Sequence, residues 1–250
     1  MANTSKISVK PYIYTHKKEG VEHSFTSKDS YSEKVLYPLY YQVVYKRQNT
    51  KMKSFYSDYY ENLEDVQKNS PGLIEFETNI IKEAIQYESI HSEDYFQMKG
   101  FPERFNKYVR STSQIIELYL KDKIRLGVMR TSAKKEYLDK YFNYFLFINY
   151  KDTKLHFKHL YNLFMKVYTD FDQFLKEEDL QTIKAYEYFE QIFKPGKGYT
   201  FTTIIDWHTL SSKNKFRDQL INNFKLDALQ AELYVERIEN AVQTQMKTMT

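Results

Sequence analysis

The stretch LYPLYYQVVYK at residues 36–46, continued by RQNT at 47–50 and KMKSFY at 51–56, decides how this chain is read. Its β-branched and aromatic residues suit a pleated, half-buried surface, so Leu36 to Lys46 predicts a strand. Arg47-Gln48-Asn49-Thr50 predicts a tight turn, with Asn49 tolerating positive φ, and Lys51 to Tyr56 then returns as the partner strand. Upstream, residues 6–14 place Ile7 and Val9 on one side in strand-like alternation, while Pro11 permits only an edge strand or a bulge. Residues 15–34, rich in Ser, Lys and Glu, read as a long polar loop. A small antiparallel sheet is the expected product.

Beyond Pro71-Gly72 the period becomes helical. Ile74, Ile81 and Ile85 fall on one face, with Leu73, Phe76 and Ile80 beside them. Gly100-Phe101-Pro102 introduces a second helix carrying Phe105, Tyr108, Val109, Ile116 and Leu120, expected to end at Gly127. Further helices are expected from Ser132 to Asn149, after Thr153, from Asp172 to Phe193, over 211–224 and over 227–247, the last with Leu229, Leu233 and Val242 as its apolar positions. The Thr- and Ile-rich run at 200–207 predicts a single late strand. The expected fold class is therefore α+β: a small N-terminal antiparallel β-sheet, then a mostly helical bundle with one late strand. The corresponding division is a basic β-rich module at 1–60 and a helical domain at 61–250 with a strand near 199–207.

Composition narrows the function. The net charge of +4 hides an asymmetry: residues 1–60 hold ten Lys/Arg against five Asp/Glu, whereas the other 190 hold 27 against 28. The positive excess sits wholly in the first quarter. With no Cys, disulfides, thiolate catalysis and zinc–thiolate sites are excluded. Met1 to Ser5 lack a signal peptide's apolar core, and no run approaches the roughly 18 apolar residues of a membrane helix, so an intracellular protein, or one assembled inside a cell, is expected. The abundance of 24 Tyr and 18 Phe follows either from AT-rich coding or from a need for rigid contact surfaces with a polar tip.

No stretch carries a site for chemistry. His156 and His159 sit at i, i+3, whereas paired helical metal ligands usually stand at i, i+4 with a third ligand elsewhere. Pro195-Gly196-Lys197-Gly198 follows a helix and enters a strand, the reverse of a phosphate-binding loop, and reads as a turn. On a strand, Asp206 and His208 share a face near Ser211, but no motif fixes a nucleophile. Neither a cofactor nor a metal is expected. The constellation that remains is the hairpin Tyr45 to Lys53, with four cations, Lys46, Arg47, Lys51 and Lys53, around its tip. Such a ribbon can grip phosphates or enter a groove; the plainer reading is a solvated hairpin whose lysines prevent edge aggregation.

Over residues 6–56, KISVK at 6–10 and the run YPLYYQVVYKRQNTKMKS at 37–54 resemble the N-terminal arm-DNA-binding module of tyrosine recombinases from Bacteroidetes and their mobile elements. The resemblance implies a three-stranded sheet packed on a helix that reads arm-site DNA, with Lys46, Arg47, Lys51 and Lys53 as its contacts. The family's catalytic pattern, a nucleophilic Tyr, clustered Arg and a His-x-x-Arg element, is not found in the chain. The first expectation is a non-enzymatic assembly protein, a tailed-bacteriophage virion component of neck, tail or ring. It would act through contacts with other subunits in a homo-oligomer or larger assembly, and be put together in the host cytoplasm. The alternative is a DNA-binding accessory protein of a phage or mobile element. Neither reading involves a membrane.

Overall fold

The computed structural model describes residues 6–16, 21–27, 30–56, 58–91, 96–131, 157–167, 171–193, 202–209 and 211–248. The chain forms two compact units: Met1–Val109 with Gly196–Thr209, and Arg110–Pro195 with Leu210–Thr250. The class is α+β, as expected: an antiparallel sheet at the N-terminal end, then predominantly helix. The division does not fall at residue 60, however, because the first unit also takes in residues 61–109 and 196–209.

The sheet contains β1 (Ser8–Ile13), β2 (Val21–Ser27), β3 (Ser30–Tyr45), β4 (Gln48–Lys53) and β5 (Tyr59–Tyr60). Every pairing is antiparallel to the long β3. β1 and β4 flank its second half, β2 pairs with its first half, and β5 touches it at Tyr37 and Pro38. Pro11 lies on β1, whose described pairing is on one side alone, so its missing N–H costs no ladder bond. The expected loop at 15–34 is in part a hairpin, since residues 21–27 pair with 30–36. Its polar composition concealed this, because strand pairing runs through backbone groups and asks for apolar side chains only where a face is buried.

The turn between β3 and β4 also differs from expectation. Tyr45 pairs with Gln48, which leaves Lys46-Arg47 as a two-residue loop, with φ of +47° and +62°. Two-residue loops whose central residues both have positive φ match the right-handed twist of a hairpin. Asn49 lies inside β4 instead.

Alternation along β3 turns Leu39, Tyr41, Val43 and Tyr45 inward. They form one core with Met52, Tyr60 and residues of α1 (Leu63–Asn69), α2 (Leu73–His91) and α3 (Phe101–Tyr108), notably Val66, Leu73, Ile80, Ile81, Ala84, Ile85, Phe101 and Phe105. Gly72, at φ +82°, makes the bend that opens α2. Burial of an Ile or Leu contributes about 1.5–3 kcal/mol, so the α2 stripe is a principal source of the unit's stability.

The expected late strand is a helix. Among the described residues, 204–208 form α7 (Ile204–His208), opened by a capping box in which Thr203 and Asp206 satisfy each other's backbone N–H. Thr-x-x-Asp is that motif, and it outweighs the β-propensity of Thr and Ile here. Ile205 joins the core of the first unit and Trp207 is fully buried.

The second unit is helical: α4 (Thr112–Thr131), α5 (Phe157–Val167), a 3₁₀ turn at Phe171–Phe174, α6 (Glu177–Ile192), α8 (Ser211–Asn222) and α9 (Ala228–Thr248). The second expected helix is thus two, since α3 ends at Tyr108 with Val109 as its C-cap and the Ser111 carbonyl opens α4. Gly127 does not end α4. It sits where a Cβ would come within 2.8 Å of Leu175 Cδ2 and 3.3 Å of the Phe171 ring, so it serves close packing. α9 packs on α4, α6 and α8 through Ala231, Tyr234, Ile238, Ala241 and Val242, spaced as one helical face. Leu229, expected on that face, is 83% exposed. The helix expected over 132–149 and the turn at 195–198 lie outside the described residues. No described helix is long and apolar enough to cross a membrane.

Candidate nucleic-acid interface

The sheet face opposite the core carries the site. Strand register places Lys10, Gln42 and Lys51 in one row across β1, β3 and β4, with Tyr12, Tyr40 and Lys53 in the next and Ser8, Val44 and Asn49 in the third. None of these nine residues is acidic. Lys10, Lys51 and Lys53 are exposed, as are Lys46 and Arg47 at the tip. The structure therefore brings all four sequence-predicted cations, Lys46, Arg47, Lys51 and Lys53, to one hairpin, and adds Lys10. Alternation from Val9 puts Lys10 on the outward face of β1, and the pairing of β1 with β3 brings it beside the hairpin.

Tyrosine rings underlie the cations. Tyr40 contacts Tyr14 and Tyr12 at centroid distances of 5.0 and 6.1 Å, and His16 stacks on Tyr14 at 5.8 Å. The ammonium of Lys46 lies 5.2 Å from the Tyr45 ring, that of Lys51 5.7 Å from Tyr14, and that of Lys53 5.7 Å from Tyr59. Such contacts steady a long side chain against the sheet. Burial, followed by neighbouring Tyr40 and Tyr14, pushes the Tyr12 hydroxyl above its ordinary pKa, so it adds no negative charge at neutral pH.

The hairpin base is held from the core side. The edge of Phe96 meets Tyr45 at 5.6 Å, and the Met98 N–H donates to Gln48 Oε1 at 2.9 Å. At the far end of β4, the buried Glu77 Oε1 of α2 accepts from Ser54 Oγ at 3.0 Å, Phe55 N–H at 2.7 Å and Tyr56 N–H at 3.4 Å. Burial raises this carboxyl's pKa against the opposing pull of those hydrogen bonds. A Glu on the apolar stripe of an amphipathic helix was the available signal for it.

The alternatives weighed from sequence do not assemble. Two residues apart on a helix, Asp206 and His208 point in different directions rather than sharing a face. Asp206 Oδ2 is committed to Thr203, accepting its N–H and hydroxyl at 2.8 Å each, and His208 stacks on Tyr87 at 5.0 Å. Asp206→Ala should accordingly cost about 1 kcal/mol, the size of a lost cap, when unfolding is followed in urea. A loss near zero would mean the cap is not contributing. His156 lies outside the described residues, and among those described no group of three or more His, Asp or Glu could hold a metal. Comparison with protein families, with curated proteins and with solved structures found no match.

Proposed function

We propose that this is a non-enzymatic binding protein whose first unit grips duplex DNA through the Lys46-Arg47 hairpin and the cationic sheet face beside it. One observation carries the reading: two cations occupy consecutive positive-φ positions of a tight turn where Asn-Gly would be relaxed. Left-handed backbone costs a non-glycine residue about 1–2 kcal/mol, and strain of this kind concentrates where a surface is put to use. A two-stranded ribbon fits a major groove about 12 Å wide, and the resemblance to an arm-binding module points the same way.

The test is a binding isotherm with the full chain, because residues 1–60 alone lack α2 and with it much of the sheet's core. If Lys10, Lys46, Arg47, Lys51 and Lys53 each meet a phosphate, log K should fall with log salt at a slope of about −4 to −5. Absence of binding at low salt removes the proposal.

The assembly reading, a virion component working through protein contacts, has one observation in its favour. Leu229, Leu233 and Val235 line an open cleft of about 370 Å³, with Leu229 largely exposed at its rim. Its test is the composition of purified phage particles, and a particle without the protein ends it.

A further inference from the structure

We infer that Arg104 is a positioning residue for the DNA-gripping hairpin: its guanidinium, held by Glu88, fixes the 96–100 loop that buttresses the Lys46-Arg47 turn. The inference rests on the reading of that turn as the DNA contact.

The chain of contacts is continuous. Arg104 Nε donates to both Glu88 carboxylate oxygens at 3.1 Å and Nη2 donates to Oε2 at 2.8 Å. The Glu88 side chain is 11% exposed and that of Arg104 40%, and three N–H···O bonds in fork geometry set the pair apart from a single-contact surface bridge. The rest of the fork reaches the loop: Nη2 donates to the Gln97 carbonyl at 2.8 Å and Nη1 to the Lys99 carbonyl at 3.1 Å. The carbonyl between them, that of Met98, accepts the Phe101 N–H at 3.1 Å. Three successive carbonyls are thereby occupied, and the loop closes through Gly100 at φ +74°. A lysine cannot reproduce this, because one ammonium lacks the planar fork that serves a carboxylate and two divergent carbonyls together.

The loop in turn holds both residues that bracket the turn. Phe96 abuts Tyr45, the residue before Lys46, and the Met98 N–H binds Gln48, the residue after Arg47. Two adjacent left-handed residues persist only where the surroundings over-determine them. The buttress supplies that constraint, and a cation presented on a fixed turn loses less freedom on binding than one on a fraying loop.

The experiment measures duplex DNA binding by the full chain across a salt series for wild type, Arg104→Lys, Gln48→Met and the double variant. Arg104→Lys keeps the charge and breaks the fork; Gln48→Met cuts the same link from the hairpin side. The expected result is binding about tenfold weaker at every salt concentration with an unchanged salt slope, and a double variant no weaker than either single one. If Arg104→Lys does not fold, Gln48→Met alone carries the same expectation. Wild-type affinity in these variants, alongside weakened binding by Lys46→Ala with Arg47→Ala, overturns the inference. So does simple additivity, or a slope shifted by about one, which would mean that a phosphate contact is lost rather than held less firmly. A wild type that fails to bind at low salt sinks the DNA reading instead. Amide exchange at Met98 then decides the clasp without DNA: faster exchange in Arg104→Lys supports it and unchanged exchange overturns it.

Discussion

Lys46→Asn combined with Arg47→Gly is expected to make the protein more stable and a poorer ligand for DNA in the same step. Both wild-type residues hold positive φ at a two-residue turn. Asn-Gly is the sequence such a turn prefers, and relief of about 1–2 kcal/mol for each strained position outweighs the roughly 0.5–1 kcal/mol that a new glycine adds to the freedom of the unfolded chain. A net gain of about 1–3 kcal/mol follows, a rise of several degrees in Tm. Removal of two cations should shrink the salt slope by about two and weaken binding on the order of 10- to 100-fold near 0.1 M salt. Lys68→Ala, on the exposed last turn of α1, is the control and should change neither. A stabilised variant that binds as tightly as wild type would place the contact elsewhere on the surface. One that loses affinity without gaining stability would mean the turn is not strained.

Glu77 should produce the largest change in stability of any single position considered. Glu77→Ala leaves the N–H groups of Phe55 and Tyr56 without their acceptor at a partly buried site, while the Ser54 hydroxyl keeps the Tyr56 carbonyl at 2.9 Å. Each donor so orphaned costs about 1–3 kcal/mol, so roughly 2–4 kcal/mol is expected, read as a lowered urea midpoint. Glu77→Gln keeps Oε1 as acceptor and removes the burden of burying a charge; it should be neutral or stabilising.

The pH dependence has a definite sign. Burial raises the folded-state pKa of Glu77 above its unfolded value, so the native state holds this proton more tightly than the unfolded chain does. Its contribution is therefore most favourable below the unfolded value. It weakens as pH rises through the window up to the raised value, and is constant above it. Glu77→Gln should abolish that slope. A variant with the wild-type pH profile would show that Glu77 is not the group titrating.

Part of the site could be read from residue order alone. Strand alternation about LYPLYYQVVYK already separates an inward set at 39, 41, 43 and 45 from an outward set, and a hairpin necessarily gathers Lys46, Arg47, Lys51 and Lys53 within a few residues of one another. These are local consequences of the pleat and of chain continuity. Lys10 joins them only because β1 pairs with β3 at the register Lys10–Gln42, an encounter across 32 residues that no window of sequence contains. Asn49 suits positive φ better than Lys or Arg does, which favours a turn at 47–50. The fold chose otherwise: a two-residue loop lengthens the β3–β4 ladder, and β4 is then anchored by Gln48 to Met98 and by its Ser54 end to Glu77.

What the sequence by itself determined is the set of properties that depend on near neighbours. These are the α+β class, the opening of a helix after Pro71-Gly72, the helices at 211–222 and 228–248 to within a few residues, and the cationic bias of the first quarter. Tertiary structure alone decided the rest. It carried α4 past Gly127 and set Arg104 and Glu77 as clasps on the two ends of β4, whereas the helix at 204–208 opens on the local capping box of Thr203 and Asp206. The physical reason is common to all of these. Propensities differ by a kcal/mol or less per residue, whereas a close helix contact, a buried carboxylate or an arginine fork is worth as much or more and depends on residues outside any local window.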